Sequence, residues 1–326
     1  MLFRKGLFES RKLPCSVISV GNITLGGSGK TPTVHYISQL LRANNLRVAV
    51  LSRGYKGKGG NKINIVSDEH RVLLSPEVSG DEPYMLAKKL NGTPVLTSKN
   101  RFTLGEYALK HFNSNVLILD DGFQHVRLKR DMDLVLLDTG IISSHNRLFP
   151  RGILREPLKN LKRADAFIIT RVNNQKDYNM MSRAIKRITE NAAIFFGDFQ
   201  VKHLLDPSGQ DKGLGYLKGK RVLAFSGIAN PKYFSLSLQE LGAIVVEELV
   251  FPDHHWYSAK DWDRIGRLSE KVDFAVTTEK DMVKIEKTFF DNIETLALSI
   301  ELCLDREEEF RGFLLERIGG VTKGAE

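Results

Sequence analysis

Gly26-Gly27-Ser28-Gly29-Lys30-Thr31 follows the apolar run 16–22 and precedes a helix-like pattern, the order of parts that a phosphate-cradling loop requires. Glycines let successive backbone N–H groups turn inward onto an anion, and the helix that follows presents the positive end of its dipole. Lys30 is spaced to reach the β- and γ-phosphates of a nucleoside triphosphate, and the Thr31 hydroxyl to ligate Mg²⁺. Thr24 stands where the usual G-x-x-x-x-G-K-[ST] pattern has its first glycine, so the glycine run 26–29 supplies the flexibility. A plain glycine turn opening a helix is the structural alternative; a strand before and a helix after favour the nucleotide.

Three further segments place chemistry at the ends of apolar runs. Val116-Leu117-Ile118-Leu119 leads into Asp120-Asp121. A carboxylate at that edge can hold Mg²⁺ opposite a phosphate loop, although acids also end strands for solvation alone. Gly80-Asp81-Glu82-Pro83 opens a helix, with two readings: Asp81 as N-cap with Pro83 in the first turn, or Asp81 as general base on a substrate hydroxyl. Asp253-His254-His255 follows a strand in the second half. Adjacent histidines point to different sides, which argues against zinc and leaves either a packed surface histidine or one that assists a base. Thr277-Thr278-Glu279-Lys280-Asp281 ends another strand, either to meet the nucleotide or to cap the next helix.

The elements that must position these groups alternate. Strand patterns fall at 16–22, 47–52, 94–98, 116–120, 133–138 and 166–171, with helical patterns at 31–43, 82–90, 101–112 and 178–190. Near-continuous apolar strands between helices predict a doubly wound, mostly parallel α/β sheet of P-loop kinase type, whose ligands bind beyond the carboxyl ends of the strands. The texture turns polar around 199–220. The division this predicts is a nucleotide-binding domain at 1–200, a connection at 201–220 and a smaller α/β domain at 221–326. That second domain has strands at 221–226, 243–250, 274–277 and 295–300 and helices at 231–241 and 258–271.

The 326 residues are 42% hydrophobic and 27% charged, a soluble globular composition, with a net charge of +9. Two cysteines without ligand spacing suit a reducing cytoplasm, and no segment is long and apolar enough to span a bilayer. The positive balance calls for an anionic partner, whether nucleotide, nucleic acid or membrane surface. At residues 2–12 bulky apolar side chains alternate with Arg4, Lys5, Arg11 and Lys12, a pattern suited either to an anionic lipid surface or to a solvated end. A second basic stretch runs from Arg127 to Arg163.

Taken together, several segments resemble the tetraacyldisaccharide 4'-kinase (lipid A 4'-kinase) family. They are Val20-Gly21-Asn22-Ile23 with the phosphate loop, Ser52-Arg53-Gly54-Tyr55, Gly80-Asp81-Glu82-Pro83, Asn100-Arg101 and Leu119-Asp120-Asp121-Gly122-Phe123-Gln124-His125. Pro150-Arg151-Gly152 with Leu154-Arg155-Glu156-Pro157, Asp253-His254-His255 and the 277–281 segment complete the set in the family's order. The resemblance implies transfer of the ATP γ-phosphate to the 4'-hydroxyl of a tetraacylated glucosamine disaccharide 1-phosphate, a lipid A precursor, giving lipid IVA. The cofactors would be ATP and Mg²⁺, the location peripheral at the cytoplasmic face of the bacterial inner membrane. It implies nucleotide contacts from Gly26, Gly27, Ser28, Gly29, Lys30 and Thr31, and Mg²⁺ near Thr31, Asp120 and Asp121. Asp81 would be the base, assisted by His254, with Lys30 and Asp121 also in the catalytic set. Arg101, Arg151 and Arg155 would neutralise phosphate charge. Family members usually carry a longer N-terminal hydrophobic or amphipathic helix; here that element is expected to be short or missing, which implies weak, reversible attachment.

Two other readings share some of these features. A partitioning- or maturation-type P-loop ATPase switch would carry a signature lysine just before Gly26, where this chain has Leu25. A nucleic-acid-binding module is suggested by charge alone, with no helix-turn-helix, zinc or aromatic-basic motif, so no nucleic-acid partner is expected.

Overall fold

Strand β1 (Ser16–Asn22) is buried along its whole length and pairs in parallel on one side with β5 (Val116–Asp120) and on the other with β6 (Met132–Asp138). The computed structural model describes residues 10–60, 62–139, 147–172, 175–289 and 293–322. These fall into two units, one of residues up to 199 together with those from 302 onward, the other of 200–301.

In the first unit the sheet continues from β5 through β2 (Val48–Ser52) and β4 (Val95–Thr97) to β3 (Asn64–Ser67). From β6 it continues through β7 (Ala166–Thr170) to β8 (Ala193–Leu205). The pairs are parallel except β3 with β4. Helices cover both faces, because successive residues of a strand point to opposite sides. Ile18, Val20, Val116 and Ile118 pack with Val34, Ile37 and Leu41 of α1 (Lys30–Ala43) and Leu86 of α3 (Asp81–Lys89), which follows the short α2 (Pro76–Ser79). Val17, Leu117 and Leu119 pack with Leu104 and Ala108 of α4 (Arg101–Phe112). Val135, Phe167 and Ile169 pack with Met181 and Ile185 of α5 (Gln175–Lys186). Each fully buried aliphatic side chain contributes about 1.5–3 kcal/mol, so this two-sided apolar sheet is the scaffold on which loops at its carboxyl edge can be held.

The second unit is a parallel sheet in the order β10-β9-β11-β12, from β9 (Arg221–Ser226), β10 (Ile244–Val250), β11 (Phe274–Thr278) and β12 (Thr295–Leu304). Helices α6 (Pro231–Glu240), α7 (Ala259–Ser269) and the short α8 (Glu279–Met282) connect them. Strands β8 and β12 each run from one unit into the other.

Two features differ from the sequence reading. Residues 201–205, read as the start of a connection, are the far half of β8, where exposed and half-buried side chains alternate from Asp198 to His203 before the buried Leu204. Residues 307–322 form helix α9 (Glu307–Thr322), and this last stretch belongs to the first unit rather than to a domain running from 221 to 326. Its Phe310, Leu314 and Ile318, spaced four apart on one helical face, join the core beside α1. Phe310 sits edge-on to Phe195 with ring centroids 5.0 Å apart. The Tyr36 hydroxyl on α1 donates to Glu307 Oε1 at 3.0 Å.

Phe310 is fully buried, so Phe310→Ala should lower the stability of the protein by about 3–5 kcal/mol. Urea unfolding followed by far-ultraviolet circular dichroism measures this. A loss below about 1 kcal/mol would mean that α9 is not an integral part of the first core.

Candidate active site

The carboxyl ends of β1 and β5 carry the phosphate-type loop and the two acids side by side, because those strands are neighbours in register. Between Asn22 and α1 the loop turns through Gly26 (φ 104°) and Gly29 (φ 79°), both left-handed, and Gly29 is the N-cap of α1. A Cβ at Gly29 would also run into the Phe199 ring. Thr24 makes an antiparallel bridge to Leu154. Leu25 N–H donates to the Ile153 carbonyl at 2.8 Å, and Arg155 N–H to the Ile23 carbonyl at 2.8 Å. An extended, β-branched residue suits that pairing, which explains a threonine in place of the first glycine. The segment 153–155 therefore braces the first half of the loop and delivers Arg155 to it.

Arg155 grips Asp121 with both guanidinium nitrogens, at 2.6 and 2.9 Å, and reaches Asn22 Oδ1 at 3.2 Å. Lys30 Nζ lies 3.7 Å from the same Asp121 carboxylate. Asp121 has a left-handed backbone (φ 53°), and the turn it begins lies tight on β1: a Cβ on Gly21 would be 2.6 Å from that of Phe123. Burial by itself would raise the Asp121 carboxyl, but the Arg155 hydrogen bonds and the Lys30 charge outweigh it and hold it below the ordinary range. Asp120 shows the opposite balance. It is almost wholly buried, and burial, then the charges of Glu82 and Asp121, push it up to about 7 against the Ser52 hydrogen bond and Lys30. Its Oδ2 accepts from Ser52 Oγ at 2.9 Å, whereas Oδ1 is buried with no hydrogen-bond partner among the described residues. Ser28 Oγ in the loop is likewise buried, with no hydrogen-bond partner among the described residues. Thr31 is buried in the first turn of α1.

Arg101, at the start of α4, is only 4% exposed; its Nη1 donates to the Ser98 carbonyl at 3.0 Å and its Nε has no partner among the described residues. Burial is the main reason that its pKa falls to about 10, with Asp120 and Asp121 opposing the fall and Arg53 adding to it. The buried Arg101 guanidinium lies within electrostatic reach of Asp120, Asp121 and Arg53, and Lys30 and Arg155 converge on the same pair of acids. Such an arrangement suits a bound polyanion with a divalent cation. Arg151 is exposed, and among the described residues its side chain makes no hydrogen bond or ion pair.

Asp81 is 4% exposed and is the first residue of α3, its Oδ1 accepting from the Glu82 N–H at 3.0 Å. The N-cap is Gly80 (φ 92°), so the capping alternative for Asp81 does not describe this helix. Gly80 lies against the Arg53-Gly54-Tyr55 loop, where a Cβ would be 2.7 Å from the Tyr55 carbonyl.

In the second unit His254 and His255 do point to different groups. His254 Nε2 is 3.3 Å from Lys280 Nζ, and Lys280 also donates to Asp253 Oδ1 at 2.9 Å. His255 Nε2 lies 3.0 Å from Asp261, the acid of the Ser258 capping box on α7. Thr278 caps α8, and Asp281 makes a fully buried ion pair with Lys284 at 2.7 Å. The 277–281 segment thus caps a helix and presents Lys280 to Asp253 and His254.

Several positioning groups did not emerge from residue types alone. Glu156 accepts from Gln124, Asn160 and Arg163, and Arg163 donates to the Phe123 carbonyl at 3.1 Å and lies over the Phe123 ring at 4.3 Å. This network ties the turn after Asp121 to the segment bearing Arg155. In the sequence Gln124 and Glu156 stand in two of the segments that carry the resemblance and Arg163 ends the second basic stretch, but nothing there pairs them.

A family model described as tetraacyldisaccharide-1-P 4'-kinase matches residues 1–319. The chain is 42% identical over 289 residues to the tetraacyldisaccharide 4'-kinase of Desulfotalea psychrophila, covering 88% of this chain and 83% of that protein. It is 37% identical over 311 residues to that of Aquifex aeolicus, covering 95% and 90%. Among solved structures it is similar to a crystal structure of LpxK from Aquifex aeolicus in complex with ATP, with a TM-score of 0.78 and 34% identity, covering 97% of this chain and 93% of that one. By the family model over residues 1–319 and relatives about 40% identical along most of its length, the chain belongs to the tetraacyldisaccharide-1-P 4'-kinase family.

Proposed function

We propose that this protein transfers the γ-phosphate of ATP to the 4'-hydroxyl of a tetraacylated glucosamine disaccharide 1-phosphate, a lipid A precursor, giving lipid IVA. One observation carries the reading: in a chain of this family, Lys30, Arg155 and Arg101 gather around Asp120 and Asp121 at the mouth of a glycine loop that opens a helix. The ATPase-switch alternative has no support from the family match, which spans nearly the whole chain.

The loop N–H groups of Gly26, Gly27, Ser28 and Gly29 would cradle the phosphates, with Lys30 beside them as the mobile cation. Phosphoryl transfer asks mainly for positioning and charge stabilisation, and Arg155 and Arg101 supply the charge. Arg151, exposed on the same segment as Arg155, would contribute only if the acceptor's phosphate comes to it. Mg²⁺ would add positive charge at the phosphate oxygens. Asp120, with its unpaired buried Oδ1, and Thr31 fit it best, whereas Asp121 already has both oxygens on Arg155. Asp81 would accept the proton of the attacking 4'-hydroxyl, assisted by His254. We further propose peripheral contact with the anionic cytoplasmic face of the inner membrane. Most of the basic-apolar segment 2–12 lies outside the described residues, and no helix among those described is long and apolar enough to cross a membrane.

Lys30→Ala should lower kcat/KM for phosphate transfer at least a hundredfold, about 2.7 kcal/mol of transition-state stabilisation. A radiolabelled-ATP assay with the disaccharide monophosphate reads it, and near-normal transfer would remove the nucleotide assignment. Asp81→Asn keeps the side-chain shape but not the basicity, so kcat should collapse while ATP affinity and folding persist. With His254→Ala the double variant should lose less than the product of the single losses, because the two act together. A silent Asp81→Asn, or strictly multiplicative losses, would sink the pair. Asp120 binds its proton more tightly folded than unfolded, so its contribution is present at acid pH and is lost as pH rises through about 7. Asp120→Asn should therefore raise the Tm of the nucleotide-free protein at pH above 7, with little change near pH 4, while transfer fails. An unchanged or lowered Tm in alkaline buffer would contradict the burial argument.

A further inference from the structure

We infer that Lys280 is a positioning residue that fixes the tautomer of His254. The inference rests on the reading above that His254 assists the base.

The geometry begins at β9. Gly227, just past its end, is held from both sides: its N–H donates to Asp281 Oδ2 at 3.0 Å, and its carbonyl accepts from the His254 N–H at 3.2 Å. Asp281 is in turn locked. It accepts from the Thr278 hydroxyl at 2.7 Å and from Lys284 Nζ at 2.7 Å, and both members of that ion pair are 0% exposed. Helix α8 and the loop bearing His254 are therefore tied to one backbone position. Between these anchors Lys280 leaves α8 toward the loop, where its Nζ meets Asp253 Oδ1 at 2.9 Å and His254 Nε2 at 3.3 Å. His254 itself has a left-handed backbone (φ 61°), unusual for a residue other than glycine, so the loop holds it in a conformation that the side chain does not favour.

The chemistry of the pair decides the tautomer. An ammonium has three donors and no acceptor, so a ring nitrogen facing it must present its lone pair. Nε2 is that nitrogen, and the proton of the neutral imidazole is then on Nδ1. The ring can offer that Nδ1–H to a carboxylate, the service a base such as Asp81 needs from a partner. Asp253 completes the arrangement by balancing the Lys280 charge, its other oxygen lying 3.8 Å from Nε2. His255 does not compete, because Asp261 holds it.

Long-range ¹H–¹⁵N correlation spectra of the full-length ¹⁵N-labelled protein, with the His254 signals assigned by their loss in His254→Gln, read the tautomer directly. The wild type should show protonated Nδ1 and unprotonated Nε2. Lys280→Met should shift the ring toward the Nε2–H form and lower kcat about tenfold or more, with KM for ATP within about twofold. Lys280→Arg, also a pure donor, should keep the tautomer and recover most of kcat, which a simple packing defect would not allow. A wild-type Nε2–H form, or an unchanged tautomer in Lys280→Met, overturns the inference. If the tautomer switches as expected while His254→Ala retains full kcat, the role of Lys280 stands and the reading of His254 as the base's partner falls.

Discussion

Asp121 is where the first unit's chemistry is balanced. Its carboxylate pairs with a bidentate Arg155 and with Lys30, so one negative charge offsets the repulsion between two cations drawn to it. Planar, charge-assisted pairing fixes both the distance and the orientation of the guanidinium. That pairing is possible only because the left-handed turn after β5 brings Asp121 beside the loop after β1, and because the 153–155 segment hydrogen-bonds to the same loop. Glu156, Gln124 and Arg163 then bind the two arms of this clamp together. An incoming phosphate would meet cations already oriented, at little cost in reorganisation.

Asp120, one residue away, has the opposite fate. Its carboxyl is buried with one oxygen unpaired, an arrangement that destabilises the folded chain when ionised and that only a cation or a proton relieves. The contrast between neighbouring acids follows from the strand's pleat and the turn after it: one side chain enters the sheet edge, and the other swings out to the arginine. Under the proposed function, the paired acid would hold the phosphate-facing cations and the unsatisfied one would receive the divalent cation.

The second unit relies on a different device, a wholly buried Asp281–Lys284 pair. Removing either partner of such a pair typically costs about 3–5 kcal/mol, because an uncompensated charge remains in the interior. Here the pair anchors α8 and the Gly227 turn, and through them the approach of Lys280 to His254. Stability in this unit and the posture of its histidine therefore rest on the same few atoms.

The parallel α/β sheet, the phosphate-type loop and the acids at the end of β5 were legible from residue order, since apolar runs buried on both faces and a glycine-rich strand-to-helix turn are local patterns. Asp120 and Asp121 were named together, yet only the fold separated an unpaired buried acid from one locked to Arg155. That distinction depends on residues 34 positions apart in sequence. Helix α9 and the outer half of β8 escaped because an alternating exposed strand looks like a linker and because the core face of a terminal helix has meaning only once α1 is beside it. Likewise the 277–281 segment reads equally as a cap or a ligand until Gly227, Asp253 and His254 are brought against it. Local periodicity and turn chemistry act over a few residues, so sequence alone determined the elements and the reacting types; charge pairing and burial act across the fold, so only tertiary structure decided which of those groups are restrained, which are left unsatisfied, and which neighbours set their protons.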